Sequence, residues 1–339
     1  MIDGLVNILT PAYNSETFIH RLLDSVLRQS YPHISMYVVD DGSTDHTARI
    51  VKSYISRFKQ RGYQLKYIYQ TNRGQSYAVN NGLKYLDGEF LFWPDSDDWY
   101  SSNDAIEILA KALKQSANDI GIVRCRYRMM EELPDDSCRE LYLTDFGSDS
   151  STRFLLKDAV TRDNGFRWEP GGYGIKLKYL DQYIPEREIL TGPGLGQNAQ
   201  ILLPYFAYSK CLSIDEVLFN YLIRPDSHSR SIFNGYDRVI SREKGHMRLI
   251  SDILRSLTPD TQFDVQEMIR LNELYFLNQM LNLSIAADRY KDIIENIDSL
   301  TKLERSVSKQ EKVIYLFSKY MHRPQLAKKL LSLITKARY

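Results

Sequence analysis

Along the first 125 residues, short apolar runs alternate with segments whose apolar side chains recur every three or four positions. Leu5-Val6-Asn7-Ile8-Leu9 is a β-rich run ended by Thr10-Pro11. Between residues 18 and 29, Phe18, Ile19, Leu22, Leu23, Val26 and Leu27 fall on one helical stripe, with Ser15 as its N-cap candidate. The alternation continues with strands at 36–39, 65–69, 90–93 and 120–123 and helices at 44–58, 76–86 and 104–115. Strand, helix, strand, helix predicts an α/β fold with a mainly parallel sheet covered by helices. Ligands of such sheets sit beyond the carboxyl ends of the strands. Three polar clusters fall there: residues 10–14, 40–45 and 95–98.

Residues 133–200 are looser. Gly171-Gly172, Gly174 and Gly192-Pro193-Gly194-Leu195-Gly196 predict turns and loops of the kind that shape binding sites. Trp168, Tyr173, Leu177, Tyr179 and Tyr183 need burial and speak against a bare linker. From about residue 237 the pattern is helical only, with segments around 247–254 and over 268–287, 308–322 and 324–337.

Composition narrows the function. Lys plus Arg number 44 and Asp plus Glu 43 in 339 residues, a net charge of +1. That balance excludes a dedicated nucleic-acid binder, which carries a basic excess. No apolar run approaches the roughly 18 to 20 residues that span a bilayer. Met1-Ile2-Asp3-Gly4 opens no basic-then-apolar leader, and Cys125, Cys138 and Cys211 have neither disulfide nor metal spacing. The expectation is a cytoplasmic protein with unpaired thiols.

Asp95-Ser96-Asp97-Asp98 sets three carboxylates in four residues directly after an apolar strand. Crowded carboxylates repel, and hard oxygen donors suit Mg²⁺ or Mn²⁺ with a substrate phosphate completing the shell. The plainer alternative is an acidic loop capping the next helix. In Asp40-Asp41-Gly42-Ser43-Thr44-Asp45, Gly42 permits a tight turn and Ser43 or Thr44 suffices as a cap. The paired aspartates are therefore surplus to capping, and one of them suits the N3–H of a uracil ring.

Together, Thr10-Pro11-Ala12-Tyr13-Asn14, Val38-Val39-Asp40-Asp41-Gly42-Ser43-Thr44-Asp45, the run from Asn72-Arg73-Gly74 to Leu83, and Asp95-Ser96-Asp97-Asp98-Trp99 resemble the family 2 glycosyltransferases in order and spacing. The resemblance is close over about residues 5–125 and weaker to about 235. It implies a Rossmann-like GT-A fold, a nucleotide-sugar donor (a UDP-sugar), Mn²⁺ or Mg²⁺, and inversion at the anomeric carbon. The implied domains are a catalytic one over 1–235, with a nucleotide-binding half (1–125) and an acceptor half (126–235), and a helical region over 236–339.

The resemblance also implies roles. Pro11, Ala12, Tyr13 and Asn14 would frame the nucleoside, Asp41 would meet the uracil edge, and Asn72 and Gly74 would lie by base and ribose. Asp95 and Ser96 would contact the nucleotide, Asp97 would be the metal ligand of the D-x-D motif, and His228 would be a further one. His228 is equally well read as a solvated loop histidine. Arg224 and Arg230 would clamp phosphate, and Trp168, Gly172 and Tyr173 would face the acceptor. Val79 stands where many relatives carry Arg, so a donor-side basic contact is either missing or supplied elsewhere, with Arg73 as a candidate.

Gln197 and Asn198 stand where relatives carry a Glu-Asp pair whose Asp is the catalytic base. An amide takes no proton at neutral pH. Glu169, Asp181, Glu186 or Glu188 would then replace it, or the acceptor would need little base help, or the chain would be impaired. The acceptor class is a growing surface glycan, lipid-linked or on a glycoprotein. A non-catalytic nucleotide-sugar-binding subunit is the competing class. A nucleotidyltransferase lacks support, because no Gly-rich basic loop lies near residues 10–14. Finally, residues 312–339 hold seven Lys and Arg and no acid, with Leu326, Leu330, Leu331, Leu333 and Ile334 on one helical side. That pattern predicts either peripheral contact with the inner membrane face or packing in a homo-oligomer.

Overall fold

The computed structural model describes the chain except residues 134, 136, 147–151, 193–194, 225–234, 258–260, 304, 306–307, 323 and 326–339. Strand β1 (Ile2–Ala12) is buried on both faces from Val6 onward, so its Leu5–Leu9 stretch reads as an apolar run and not as an alternation. Parallel to it lie β2 (Ile34–Asp41), paired as Ala12↔Asp40, and β4 (Gly88–Phe92), paired as Ile8↔Phe92. β3 (Gln64–Gln70) extends the sheet beyond β2, with Asp41↔Gln70. The parallel register brings the carboxyl ends of all four strands to one edge.

Helices α1 (Ile19–Leu27), α2 (Thr47–Arg61), α3 (Gln75–Leu83) and α4 (Ala105–Gln115) connect and cover these strands. α1 buries Ile19, Leu22, Leu23 and Val26, the stripe that the spacing predicts. Ser15 opens it through its carbonyl, which accepts from Phe18 N and Ile19 N at 3.0 Å, while its hydroxyl does other work.

The second half of the sheet is mixed. β8 (Tyr173–Lys176) inserts antiparallel between β4 and β6 (Ile120–Glu132), with Phe92↔Gly174 and Arg124↔Tyr173. β9 (Lys210–Ile223) runs parallel to β6, and β5 (Trp99–Tyr100) and β7 (Cys138–Leu143) add antiparallel to β9 and β6. Among the described residues the order is β3-β2-β1-β4-β8-β6-β9-β5, with β7 on β6.

The stretch that reads as loose holds much of this architecture. Besides β7 and β8 it contains α5 (Leu156–Thr161), a 3₁₀ turn (Pro170–Gly172), α6 (Leu177–Tyr183) and the start of α7 (Gln197–Tyr208). β8 is only four residues long and buried throughout, so it has neither length nor period to announce it.

Contacts divide the chain into two units, Met1–Ser227 with Leu257–Gln262, and His228–Ser256 with Phe263–Tyr339. The second unit holds α8 (Tyr236–Ser256), α9 (Val265–Ala286), α10 (Tyr290–Lys302) and α11 (Lys309–Met321). Leu281, Ile285, Ile293, Ile297, Leu300 and Ile314 form a core there. Asp264 caps α9, and Ser308 and Glu311 form a capping box on α11. Most of the expected helix over 324–337 lies outside the described residues. Among the described residues, no helix is long and apolar enough to cross a membrane. The three cysteines are free.

Candidate functional site

The loops after β1 and β2 brace each other. Asn14, at φ +46°, donates its N–H to Ser43 Oγ at 3.0 Å, and its Oδ1 accepts from Thr44 N at 2.9 Å. Asp45 accepts from Glu16 N at 3.0 Å and Thr47 N at 2.9 Å. Burial pushes its carboxyl up, but the Thr47 hydroxyl and these N–H groups outweigh that and leave it below the usual carboxylate range.

Asp40 is fully buried and accepts from Ser43 N at 2.8 Å and from the Tyr67 hydroxyl at 2.6 Å. Asp41, also buried, accepts from Gln70 Nε2 (2.8 Å), Arg73 N (2.9 Å) and Gly74 N (2.7 Å). It thereby organises the Asn72–Gly74 turn. Gly42, at φ +75°, lies against that turn so closely that a Cβ would fall 2.6 Å from Asn72 N. Pro11 and Ala12 are buried; Tyr13 and Asn72 are exposed. The Arg73 guanidinium lies 4.0 Å from the centre of the Tyr77 ring, and Val79 is buried.

The loop after β4 is built differently. Asp95 accepts from Gln75 Nε2 at 2.9 Å. Burial and then the charge of Asp97 push its carboxyl up to about 7, against the Gln75 bond, with Glu169 adding to the rise. Asp98 is fully buried; Oδ1 accepts from Leu222 N at 2.9 Å, and Oδ2 has no hydrogen-bond partner among the described residues. Burial, Asp97 and Asp95 hold its carboxyl well above the usual range. The Tyr221 phenol is pushed up by burial and then by the charges of Asp98, Asp95, Glu169 and Asp97.

Asp97 and Arg224, expected as metal ligand and phosphate clamp, hold each other. Arg224 Nε and Nη2 reach Asp97 Oδ2 at 2.9 and 2.8 Å, and its guanidinium sits 4.2 Å from the centre of the Phe18 ring. Ser96 Oγ lies 2.8 Å from Ser15 Oγ, which is also 3.3 Å from the Tyr13 carbonyl. These serines and the Gln75–Asp95 bond join the loops of β1, β4 and α3 at the carboxyl edge.

On the other flank, Tyr173 is buried and donates its hydroxyl to Arg167 O at 2.6 Å. Gly172 is buried against the Tyr127 ring. Trp168 is half-buried and packs edge-on against Phe166, with Arg162 4.8 Å from the centre of its ring. Gln197 is buried in the first turn of α7; Asn198 is half-buried, and its Oδ1 finds no partner among the described residues. His228 and Arg230 lie outside the described residues. Ser15, Tyr67, Gln75 and Tyr127 join the site without any signal that sequence reading used.

Among the described residues, no group of three or more His, Cys, Asp or Glu is arranged to hold a metal ion. The donor set nevertheless suits a hard divalent cation. Its members are carboxylates, two of them held above their ordinary range by crowding and burial, and one oxygen of Asp98 is buried without a partner.

Comparisons with known proteins bear on the family and the fold. Residues 7–168 match the family model described as Glycosyl transferase family 2. Glycosyltransferase GlyA of Streptococcus pneumoniae serotype 4 is 35% identical over 122 residues, 36% of this chain and 17% of that protein. An uncharacterised glycosyltransferase of Rickettsia typhi is 36% identical over 128 residues, 38% of each chain. The chain therefore spans well under two thirds of the length of these relatives. Among solved structures, S. aureus TarS 1-349 in complex with UDP superposes with a TM-score of 0.62 at 17% identity, covering 99% of this chain and 92% of that one. Mannosyltransferase PcManGT from Pyrobaculum calidifontis, in complex with GDP-Man and Mn²⁺, gives 0.54 at 17% identity, covering 96% and 87%. At such identities the likeness speaks for the fold, which is the expected GT-A arrangement.

Proposed function

We propose that the chain, whose residues 7–168 match the glycosyl transferase family 2 model, transfers a sugar from a UDP-sugar to a hydroxyl of a growing glycan, metal-assisted and with inversion. The observation that carries this reading is the acid cluster beyond β4, where Asp95, Asp97 and Asp98 crowd together beside the braced loops of β1 and β2. That these loops meet a nucleotide is supported by the structural neighbours, which are in complex with UDP, UDP-GlcNAc and GDP-Man.

Asp41 has about four lone-pair positions and uses three, on Gln70 Nε2, Arg73 N and Gly74 N. The fourth suits the N3–H of uracil, and the exposed Tyr13 and Asn72 would meet base and ribose. Asp95 and Asp97 would hold a divalent cation, which, when bound, supplies Lewis-acid stabilisation of the charge on the departing diphosphate. Arg224, once exchanged from Asp97 to the donor, would neutralise a phosphate oxygen. With an α-linked donor, a single displacement gives a β-linked product.

A surface glycan, lipid-linked or on a glycoprotein, is the acceptor class this reading favours. The basic residues between Lys312 and Arg338 support attachment to an anionic membrane face. The test is a panel of nucleotide sugars, scored by thermal shift with Mn²⁺ and by release of the nucleoside diphosphate. A true donor raises the Tm by mass action and is turned over. Binding without release favours the partner-subunit reading, to which Gln197 and Asn198 point; no binding overturns both.

A further inference from the structure

The inverting reaction proposed above needs a proton acceptor opposite the leaving group, and Gln197 and Asn198 are amides. Sequence reading singles out four carboxylates of the acceptor half: Glu169, Asp181, Glu186 and Glu188. Asp181 is exposed and held by Arg187, with contacts of 2.5 Å to Oδ1 and 3.0 Å to Oδ2. Glu186 and Glu188 are exposed in the loop that follows α6.

Glu169 differs in each respect. It is half-buried and precedes the Pro170–Gly172 turn that leads into β8, the strand wedged between β4 and β6. Antiparallel pairing of Phe92 with Gly174 aims the residues after β4 and those before β8 at the same edge. The turn has no freedom to drift. A Cβ on Gly171 would lie 1.9 Å from Phe219 Cζ, and one on Gly172 would lie 2.9 Å from the Tyr127 ring. Phe219 in turn stacks edge-on against Tyr100, two residues after Asp98. Tyr127 donates its hydroxyl to Glu169 Oε2 at 2.7 Å, which fixes the carboxylate. Among the described residues, Oε1 has no hydrogen bond and no Arg or Lys pairs with Glu169.

We propose that Glu169, oriented by Tyr127, is the base that takes the proton of the acceptor hydroxyl. This rests on the transfer reading above. The acceptor O–H proton passes to Glu169 Oε1, and the oxygen lone pair forms the new bond to the anomeric carbon. The bond from that carbon to the diphosphate oxygen breaks, and its electron pair leaves with the diphosphate. Asn198, with its open amide oxygen, orients a hydroxyl and takes no proton.

The experiment compares wild type, Glu169→Gln, Tyr127→Phe and Asp181→Asn with UDP-sugars and Mn²⁺. UDP binding is followed by calorimetry and transfer as a function of pH. Glu169→Gln keeps an oxygen for the Tyr127 hydroxyl, so it retains the turn. It is expected to bind UDP within about twofold of wild type, to lose about 10²-fold or more in kcat, and to lose the acid limb of the pH profile. Tyr127→Phe moves that limb without changing UDP affinity, and Asp181→Asn keeps the wild-type rate. A Glu169→Gln enzyme that keeps the wild-type rate and acid limb overturns the base assignment while leaving the transfer reading intact. A wild type that binds no nucleotide sugar overturns both.

Discussion

The loops after β1 and β2 and the loop after β4 stand on the same edge of one sheet, but they treat charge in opposite ways. Around Asp40, Asp41 and Asp45 every carboxylate is met by N–H or O–H donors from its own neighbourhood. Around Asp95 and Asp98 the carboxylates press on one another, one oxygen has no partner, and Asp97 is held by an arginine 127 positions away. The first region is a finished mould and the second an unfinished charge balance. A ligand gains shape complementarity from the one and relief of repulsion from the other.

The comparison breaks most visibly at Asp97. Replacing it with Asn removes a charged donor where charge is already unbalanced. Metal-dependent turnover is expected to fall by about 10²–10³-fold, the loss typical of a deleted transition-state contact. Near wild-type rates with saturating Mn²⁺ would refute the role given to the acid cluster.

On the finished side the largest effect belongs to Gly42. Gly42→Ala places a Cβ at φ +75° and against Asn72 N, so either the turn or the glycine must move. The expected loss is about 2–4 kcal/mol of stability, read as a fall in Tm of several degrees. A variant as stable as wild type would mean that the two loops are not rigidly seated. Asp41 comes next. Asp41→Asn replaces an all-acceptor group by one with a donor end, and UDP affinity should fall by about 1–3 kcal/mol. Calorimetry that finds wild type binding UDP and GDP equally would remove Asp41 from base recognition.

The mildest test is pH, where the two regions should respond with opposite sign. The Asp45 carboxyl is lowered, so its contribution to stability is present above about pH 4 and is lost as the solution is acidified. The Asp95 carboxyl is raised to about 7, so its penalty is absent below about pH 4, grows as pH rises, and is constant above 7. In denaturant titrations, Asp45→Asn should be less stable than wild type at pH 7, with the gap narrowing as the solution is acidified below about pH 4. Asp95→Asn should be more stable than wild type at pH 8 and equal at pH 4. Parallel curves for both variants would erase the distinction between the regions.

The finished region is also the one that sequence reveals. Its parts are local: the stripe from Ile19 to Val26 forms α1, and Asp40, Asp41 and Gly42 follow directly on β2. Motif spacing alone locates them at the sheet edge. The unfinished region depends on long-range placement that no local pattern encodes. Arg224 reaches Asp97 because β9 lies between β6 and β5 and pairs Asn220 with Trp99, two residues after Asp97. Glu169 is one of four candidate acids that sequence reading leaves open, and it stands out only once β8, too short to recognise, inserts between β4 and β6. Trp168 reads as a sugar platform by residue type, while the packing against Phe166 is visible only in three dimensions.

The serine pair that ties the two regions together has a consequence of its own. Either hydroxyl can be the donor in the 2.8 Å contact between Ser15 and Ser96. When Ser15 turns its proton to the Tyr13 carbonyl, Ser96 gives its proton to Ser15. When Ser15 turns its proton to Ser96 instead, the Ser96 proton is released for a ligand oxygen. The two arrangements share every heavy-atom position and differ in two torsions. A ligand oxygen that accepts from Ser96 would therefore be felt at the Tyr13 carbonyl by a swing of hydrogens alone, which crystallographic superposition would miss and carbonyl infrared shifts would register.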